Sequence, residues 1–256
     1  MRLVCVGLVS SCVFTFASAM GPLAGASRST TFASSIPGAH ATLAGSTTNP
    51  DVQAPDVHAI AAAVDQHYNR LHSLQAEFTE IYRGAGIERT ESGTLWLKKP
   101  GMKKPGKMRW EYRSPREKLF VSDGRNAWFY VPDDRQARRT AANKLDDIRS
   151  PLAFLLGKTK LEKELRGVSL APDVSALNPG DVVLRGVPQA WADRVSEILL
   201  EITPDGRIAR IVIEELDGSV TEYRLEQQKE DVQISDGRFE FSPPAGVETV
   251  EGGLGP

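Results

Sequence analysis

Alternating apolar and polar residues in the central part of the chain predict a run of antiparallel β-strands. Leu95 and Leu97 alternate with Thr94, Trp96 and Lys98, and Met108, Trp110 and Tyr112 alternate with charged residues, a period of two that is typical of strands. Asp123-Gly124 then separates Leu119–Val121 from Ala127–Val131, which indicates a hairpin turn. The pattern therefore predicts a meander of four strands with large apolar side chains on one face.

A helical period precedes this meander. The apolar residues recur at steps of three and four and predict a helix that ends near Leu74; they are Val57, Ile60, Ala61, Val64, Tyr68 and Leu71. A first strand, Ala76–Tyr82, follows it. Ser150-Pro151 pairs an N-cap residue with proline at the first helical position, which predicts a second, short apolar helix. Leu161–Gly167 is compatible with either a helix or a strand.

The C-terminal third is again rich in predicted strands. Pro204-Asp205-Gly206 and Asp217-Gly218 are strong hairpin signals, and a last short strand is expected at Phe239–Phe241. The other strands predicted here are Asp181–Arg185, Val195–Thr203, Arg207–Glu215 and Val220–Glu226. A sheet of this size with one apolar face has to curl, and helices have to cover that face. The expected fold class is α+β: a large curved antiparallel sheet that forms a half-open, incomplete β-barrel, with helices as a lid over an apolar cavity.

The N-terminus has the features of an export signal. Arg2, an apolar run and Ala17-Ser18-Ala19 match the three regions of a secretory signal peptide, so residues 1–19 are expected to be removed. Residues 20–55 are expected to be a flexible leader, residues 56–250 the folded domain and residues 251–256 a tail. Cys12 leaves an alternative open, because the residues before it also fit the pattern that precedes a lipidated cysteine.

Composition adds no sign of catalysis. The chain has 256 residues and a formal charge of −2, and its four histidines do not have the spacing of a helical zinc site. Both cysteines lie in the predicted signal peptide, and no phosphate, dinucleotide or nucleophile motif is present. We therefore expect neither an enzyme nor a bound metal or cofactor.

Charge is unevenly distributed along the sequence. Residues 83–118 hold eleven Lys and Arg against four Asp and Glu, so a basic surface there is compatible with an anionic partner or a membrane surface. Lysines that discourage edge-to-edge pairing of strands are the alternative explanation. Nucleic acid is not an expected partner for an exported, slightly acidic chain.

Several short motifs, taken in order, carry a family resemblance. They are Phe78-Thr79, Gly93-x-Leu95-Trp96-Leu97, Met108-Arg109-Trp110-x-Tyr112-x-x-Pro115, Val121-Ser122-Asp123-Gly124-x-x-x-Trp128-Phe129-Tyr130, Pro151 with its apolar helix, and Phe239-x-Phe241-x-Pro243-Pro244-x-Gly246-Val247. Together they resemble the LolA family, the lipoprotein carriers of the periplasmic Lol sorting pathway, over roughly residues 56–250.

The resemblance implies a monomeric periplasmic carrier that shuttles acylated lipoproteins from the inner to the outer membrane. An inner-membrane lipoprotein-releasing transporter and an outer-membrane acceptor are implied as partners. In the family an arginine hydrogen-bonds to the lid and helps to keep it closed. The matching position here is Lys104 when residues are counted back from Trp110, and Lys99 when they are counted forward from Trp96. A lysine latch would be looser because it lacks the planar guanidinium.

We expect the cavity wall and the lid to be built from apolar residues of the predicted strands and of the second helix. The wall set is Leu95, Leu97, Met108, Trp110, Tyr112, Val121, Trp128, Tyr130, Ile198, Leu200, Ile211 and Ile213, and the lid set is Leu152, Phe154 and Leu155. Two alternative functions remain: a membrane-anchored lipoprotein acceptor, which requires a lipidated Cys12, and a regulatory domain with the same fold that senses envelope lipids.

Overall fold

A computed structural model describes residues 55–99, 106–142 and 160–252. Two α-helices and twelve β-strands form in these residues. The helices are α1 (Val57–Arg70) and α2 (Leu161–Glu164). The strands are β1 (Ser73–Gly84), β2 (Ile87–Lys98), β3 (Lys107–Ser114), β4 (Lys118–Ser122), β5 (Asn126–Val131), β6 (Gln136–Ala141), β7 (Leu165–Leu170), β8 (Val182–Pro188), β9 (Val195–Ile202), β10 (Ile208–Glu215), β11 (Val220–Glu230) and β12 (Glu248–Glu251).

All described strands belong to one sheet, in the order β12-β6-β5-β4-β3-β2-β1-β11-β10-β9-β8-β7. Neighbouring strands are antiparallel, apart from β12, which runs parallel to β6. The ends of this order, β12 and β7, do not pair with each other. The sheet is therefore an open barrel, and the α+β half-barrel expected from the sequence is confirmed.

Helix α1 begins at a side-chain cap and ends in an extended residue. The Asp56 carboxylate accepts a hydrogen bond from the His58 backbone N–H at 3.0 Å, which satisfies one of the free donors at a helix N-terminus. Leu71 is extended, and β1 starts at Ser73. The helix is therefore a few residues shorter than its apolar period predicts.

The two faces of the sheet bury different clusters. The inner face, defined here as the face against which α1 packs, carries the main core, in which α1 contributes Ala61, Val64 and Tyr68. Part of the outer face is covered by the C-terminal segment around Phe239. Another part, on β8 to β10, packs against the loop that follows β7, with Ala171 as its buried residue. Several strands are consequently apolar on both faces.

Three segments differ from their sequence-based interpretation. Leu161–Gly167, which fitted two alternatives, forms both: the short helix α2 and the start of β7. The strand predicted at Phe239–Phe241 is wrong, because Asp236–Phe239 forms a 3₁₀ turn that seats Phe239 against the outer face. Strand β6 was not predicted from the sequence. It has only small and charged residues after Gln136, so it lacks the apolar alternation that marks a strand.

Gly93 marks the closest approach between two strands of the meander. A Cβ atom at this position would lie 1.8 Å from the backbone carbonyl oxygen of Glu111 on β3. The pairing of β2 with β3 also shifts register between Ser92 and Gly93, as in a β-bulge. Glycine is therefore required here for close backbone contact and not for an unusual φ angle.

We predict that Gly93→Ala lowers the free energy of unfolding by about 2 kcal/mol or more, because the β3 backbone has to move to admit the methyl group. Urea denaturation of the purified variant measures this change. Gly237→Ala is the matched control, since no heavy atom lies within 4 Å of a Cβ at that position. Equal stability of the two variants would contradict the close approach.

Candidate functional site

The inner face is an apolar surface assembled from both halves of the sheet. Nine of the twelve predicted wall residues meet here, eight of them buried and Tyr112 packed against them; they are Leu95, Leu97, Met108, Trp110, Tyr112, Ile198, Leu200, Ile211 and Ile213. Cross-strand pairing explains why they share a face: Leu95 is opposite Trp110, and Ile211 is opposite Leu200. The alternation in the sequence was therefore sufficient to place these nine residues on the same face of the sheet.

An aromatic group lies at the centre of this surface. The Phe78 ring makes edge contacts with Trp110 at 4.6 Å and with Tyr112 at 4.9 Å between centroids. Tyr223 on β11 lies 5.9 Å from Trp110, and this brings the two halves of the sheet together. Such edge contacts favour a fixed arrangement of the rings. Phe78 and Tyr223 were not among the predicted wall residues, although each alternates with polar neighbours.

The structure places the other three predicted wall residues on the outer face. Val121, Trp128 and Tyr130 cluster with Phe239 and Phe241 of the C-terminal segment. Their assignment to the wall is therefore corrected.

The physical reason is that β4 and β5 bury both faces. Phe120 and Phe129, which are paired with each other, face inward with Trp110 instead. An apolar run without polar alternation does not define a face, so the sequence could equally have predicted either set.

Two other sets of predicted residues lie outside the described part of the chain. They are the lid residues Leu152, Phe154 and Leu155 and one of the two latch candidates, Lys104. Lys99, the other latch candidate, is described.

The Lys99 side chain joins the end of β2 to the last turn of α1. Its Nζ donates a hydrogen bond to the Tyr68 carbonyl oxygen at 2.6 Å and lies 5.8 Å from the centre of the Tyr68 ring. Tyr68 is in the last turn, where carbonyl groups lack a helical partner, and a cation there also stabilises the helix dipole. Burial lowers the pKa of Lys99 to about 8. Lys99 therefore fastens α1 to the sheet at an energetic cost of desolvation.

Further polar contacts hold α1 in place. The Tyr68 hydroxyl accepts a hydrogen bond from the backbone N–H of Ile208 at 3.0 Å. Asp65 accepts one from the Leu161 N–H at 2.9 Å, and His67 Nε2 lies 2.9 Å from Glu230 Oε1. Each contact joins the helix to a different segment of the body, so the position of α1 depends on a small number of separate hydrogen bonds.

Charged side chains occupy one end of the inner face. Glu80 and Glu91 are directly opposite each other on β1 and β2. The Tyr112 hydroxyl donates to Glu80 Oε2 at 2.7 Å, and Lys118 Nζ donates to Glu91 Oε2 at 2.5 Å. Burial, offset in part by the bond from Tyr112, raises the pKa of Glu80. Burial also raises the pKa of Tyr112 far above its usual value.

Within 55–99, 106–142 and 160–252, no group of three or more His, Cys, Asp or Glu side chains is arranged to hold a metal ion. No helix in these ranges is both long and apolar enough to cross a membrane.

Fold and site together define an open-barrel protein whose apolar inner face is covered by a helix. The family profile described as "Outer membrane lipoprotein carrier protein LolA" matches residues 69–242. An outer-membrane lipoprotein carrier protein of Alkalilimnicola ehrlichii is 34% identical over 200 residues, which cover 77% of this chain and 86% of that protein. Its counterpart in Nitrosospira multiformis is 28% identical, over 70% of this chain and 82% of that protein.

Among solved structures, a LolA superfamily protein from Nitrosomonas europaea aligns with 73% of this chain and 99% of its own at 14% identity, with a TM-score of 0.36. The profile match and the identity to the Alkalilimnicola protein lead to one conclusion. The chain belongs to the LolA family of outer membrane lipoprotein carrier proteins.

We predict that Lys99 makes stability rise with pH between about 8 and 10.5. Its pKa is about 8 in the folded protein, against an ordinary lysine pKa of 10.5. In this range the unfolded chain holds the proton that the folded protein has lost, so raising the pH favours folding. Lys99→Arg, which keeps a cation that does not titrate in this range, should remove that part of the pH dependence.

The side-chain signals of ¹³C-labelled lysines measure the titration directly, and their comparison with Lys99→Arg assigns the Lys99 signal. One lysine signal should titrate near pH 8. Titration of Lys99 together with the surface lysines would contradict the buried contact with Tyr68.

Proposed function

We propose that this protein carries lipoproteins across the periplasm, from the inner to the outer membrane, with their acyl chains held between the inner face and its helical cover. The observation that carries the proposal is the apolar surface built by Leu95, Leu97, Trp110, Ile198 and Leu200 beneath α1. Such a surface suits an acyl chain, because both are apolar and contact between them removes apolar area from water. Family membership supports the same assignment.

The free energy at stake explains why a carrier is needed. An acyl chain of about 15 methylenes gains roughly 12 kcal/mol from burial at ~0.8 kcal/mol per CH₂. Free transfer through water would lose that stabilisation, whereas a protein that encloses the chain retains it. The carrier therefore has to match the environment of a bilayer and still release its cargo.

Release does not require breaking covalent bonds. In the described residues α1 is fastened by hydrogen bonds through Lys99, Tyr68, Asp65 and His67, each worth about 1–3 kcal/mol net. A modest shift in the equilibrium between closed and open positions of the helix thus exposes the inner face. Leu152, Phe154 and Leu155 are proposed as the second part of the cover, and Lys99 as its latch.

Individual wall residues suit a cargo of variable shape. Met108 is buried on the inner face, and its flexible thioether adapts to irregular apolar partners. Trp110 contacts rings on two different strands and presents a large surface to a chain lying beside it. The proposed partners are acylated lipoproteins, a transporter that releases them from the inner membrane and an acceptor at the outer membrane.

We predict that a palmitoyl chain brominated near its middle quenches the fluorescence of Trp110 but not that of Trp128. The chain has four tryptophans, so two variants with three Trp→Phe substitutions each leave one of these two rings as the only emitter. Trp110 lies on the inner face and Trp128 on the outer face of the same sheet. The two variants are therefore matched controls for each other.

Titration with the brominated and the unbrominated chain measures quenching in each variant. Strong quenching of Trp110 alone is the expected result. Quenching of Trp128 alone would place the acyl chain on the outer face, and equal quenching of both would indicate non-specific association. Either of these outcomes would contradict the proposed function.

A further inference from the structure

The inner face changes from apolar to charged at one row of the sheet. Towards the turn that joins β1 and β2, the inner face of β2 changes from Leu97 and Leu95 to Glu91. In the same direction, the inner face of β1 changes from Phe78 to Glu80. Register therefore aligns the change across adjacent strands. Tyr112 and Lys118, which are opposite each other on β3 and β4, join these glutamates through their side chains, since Tyr112 donates to Glu80 and Lys118 donates to Glu91. We name Glu80, Glu91, Tyr112 and Lys118 the polar row.

Lys118 and the neighbouring Arg89 balance the two carboxylates of the polar row, so it is not simply an acidic cluster. The Glu91 side chain is 6% exposed and pairs with Lys118, which is 18% exposed, and with Arg89 Nε at 3.4 Å. Tyr112 donates to Glu80. Removing such charges from water is expensive even when they are paired. Apolar residues at these positions would avoid that cost and continue the apolar surface, so the buried charges call for a role other than packing.

The polar row lies at the end of the inner face that is remote from α1. On β2 the four residues Ile87–Thr90, next to the turn with β1, are all exposed. At the opposite end Lys99 binds the last turn of α1. Leu97 and Glu91 are six positions apart on β2, so about 20 Å of strand separates them at roughly 3.3 Å per residue. One end is thus closed by the helix, and the other opens towards solvent through charged groups.

We propose that the polar row is the subsite for the ester-linked end of the cargo, with the acyl chains extending from it towards α1. This inference rests on the proposed function and adds the orientation of the cargo. Lys118 uses one of its three N–H donors on Glu91 and has others for an ester carbonyl oxygen. The polar row also ends the apolar surface, because a methylene chain that passed it would desolvate paired charges.

Orientation is tested with 1-palmitoylglycerol carrying a nitroxide either on the glycerol or at the terminal carbon of the chain. The glycerol label should broaden the backbone amide signal of Glu91 in an NMR spectrum, and the terminal label should broaden that of Leu97. The reverse pattern would overturn the orientation and leave the carrier function intact. Absence of broadening at every inner-face amide would overturn both.

The role of Lys118 is tested by comparing 1-palmitoylglycerol with 1-O-hexadecylglycerol, an ether without the carbonyl group. The wild-type protein should bind the ester about tenfold more tightly, as expected for a hydrogen bond from a charged donor. Lys118→Met should bind the two ligands equally. A tenfold preference that survives in Lys118→Met would overturn the assignment.

Two further variants separate recognition from folding. Arg113→Met is the matched control, because Arg113 lies on the same strand as Tyr112 but bonds to Glu77 and Thr94 on the opposite face; it should retain the preference for the ester. If Lys118→Met does not fold, Glu91→Leu combined with Lys118→Leu replaces the ion pair by two apolar side chains and leaves no donor at position 118. That variant should lose the ester preference, and its retention would equally overturn the proposal.

Discussion

The packing of α1 against the inner face is the interaction on which the rest of the structure depends. An open sheet with apolar side chains on its inner face is stable in water only when that face is covered. Ala61, Val64 and Tyr68 provide part of this cover. Hydrogen bonds through Lys99 and the Tyr68 hydroxyl fix its position. Under the proposed function, the same contact that completes the core also controls access to it.

The outer face explains how one sheet accommodates this arrangement without exposing its other apolar residues. Phe239 and its neighbours cover the outer side of β2 to β5. On β9 and β10 the buried pair Glu201 and Arg210 binds the loop after β7, through the Leu177 N–H and the Ser175 carbonyl respectively. These outer contacts do not involve α1, so the outer face is covered independently of the helix.

Sequence reasoning predicted the open barrel, helix α1 and most inner-face positions, because period-two alternation and a clear helical period determine them. It failed where both faces are apolar: Val121 and Trp128 looked equivalent to Phe120 and Phe129, and only the strand pairing and the C-terminal cover distinguish them. Three of the four residues of the polar row, Glu80, Glu91 and Lys118, were also missed. These residues are far apart in sequence, and charged residues in predicted strands were interpreted as solvent-facing.

Native mass spectrometry of the protein purified from the cell envelope without detergent tests the central claim most directly. The account predicts a near-stoichiometric complex between the protein and an acylated protein, and lipid extraction should then release the acyl-bearing species. An empty chain under the same conditions, with no acylated partner even after purification from cells that overproduce a lipoprotein, would contradict the claim that the inner face holds acyl chains.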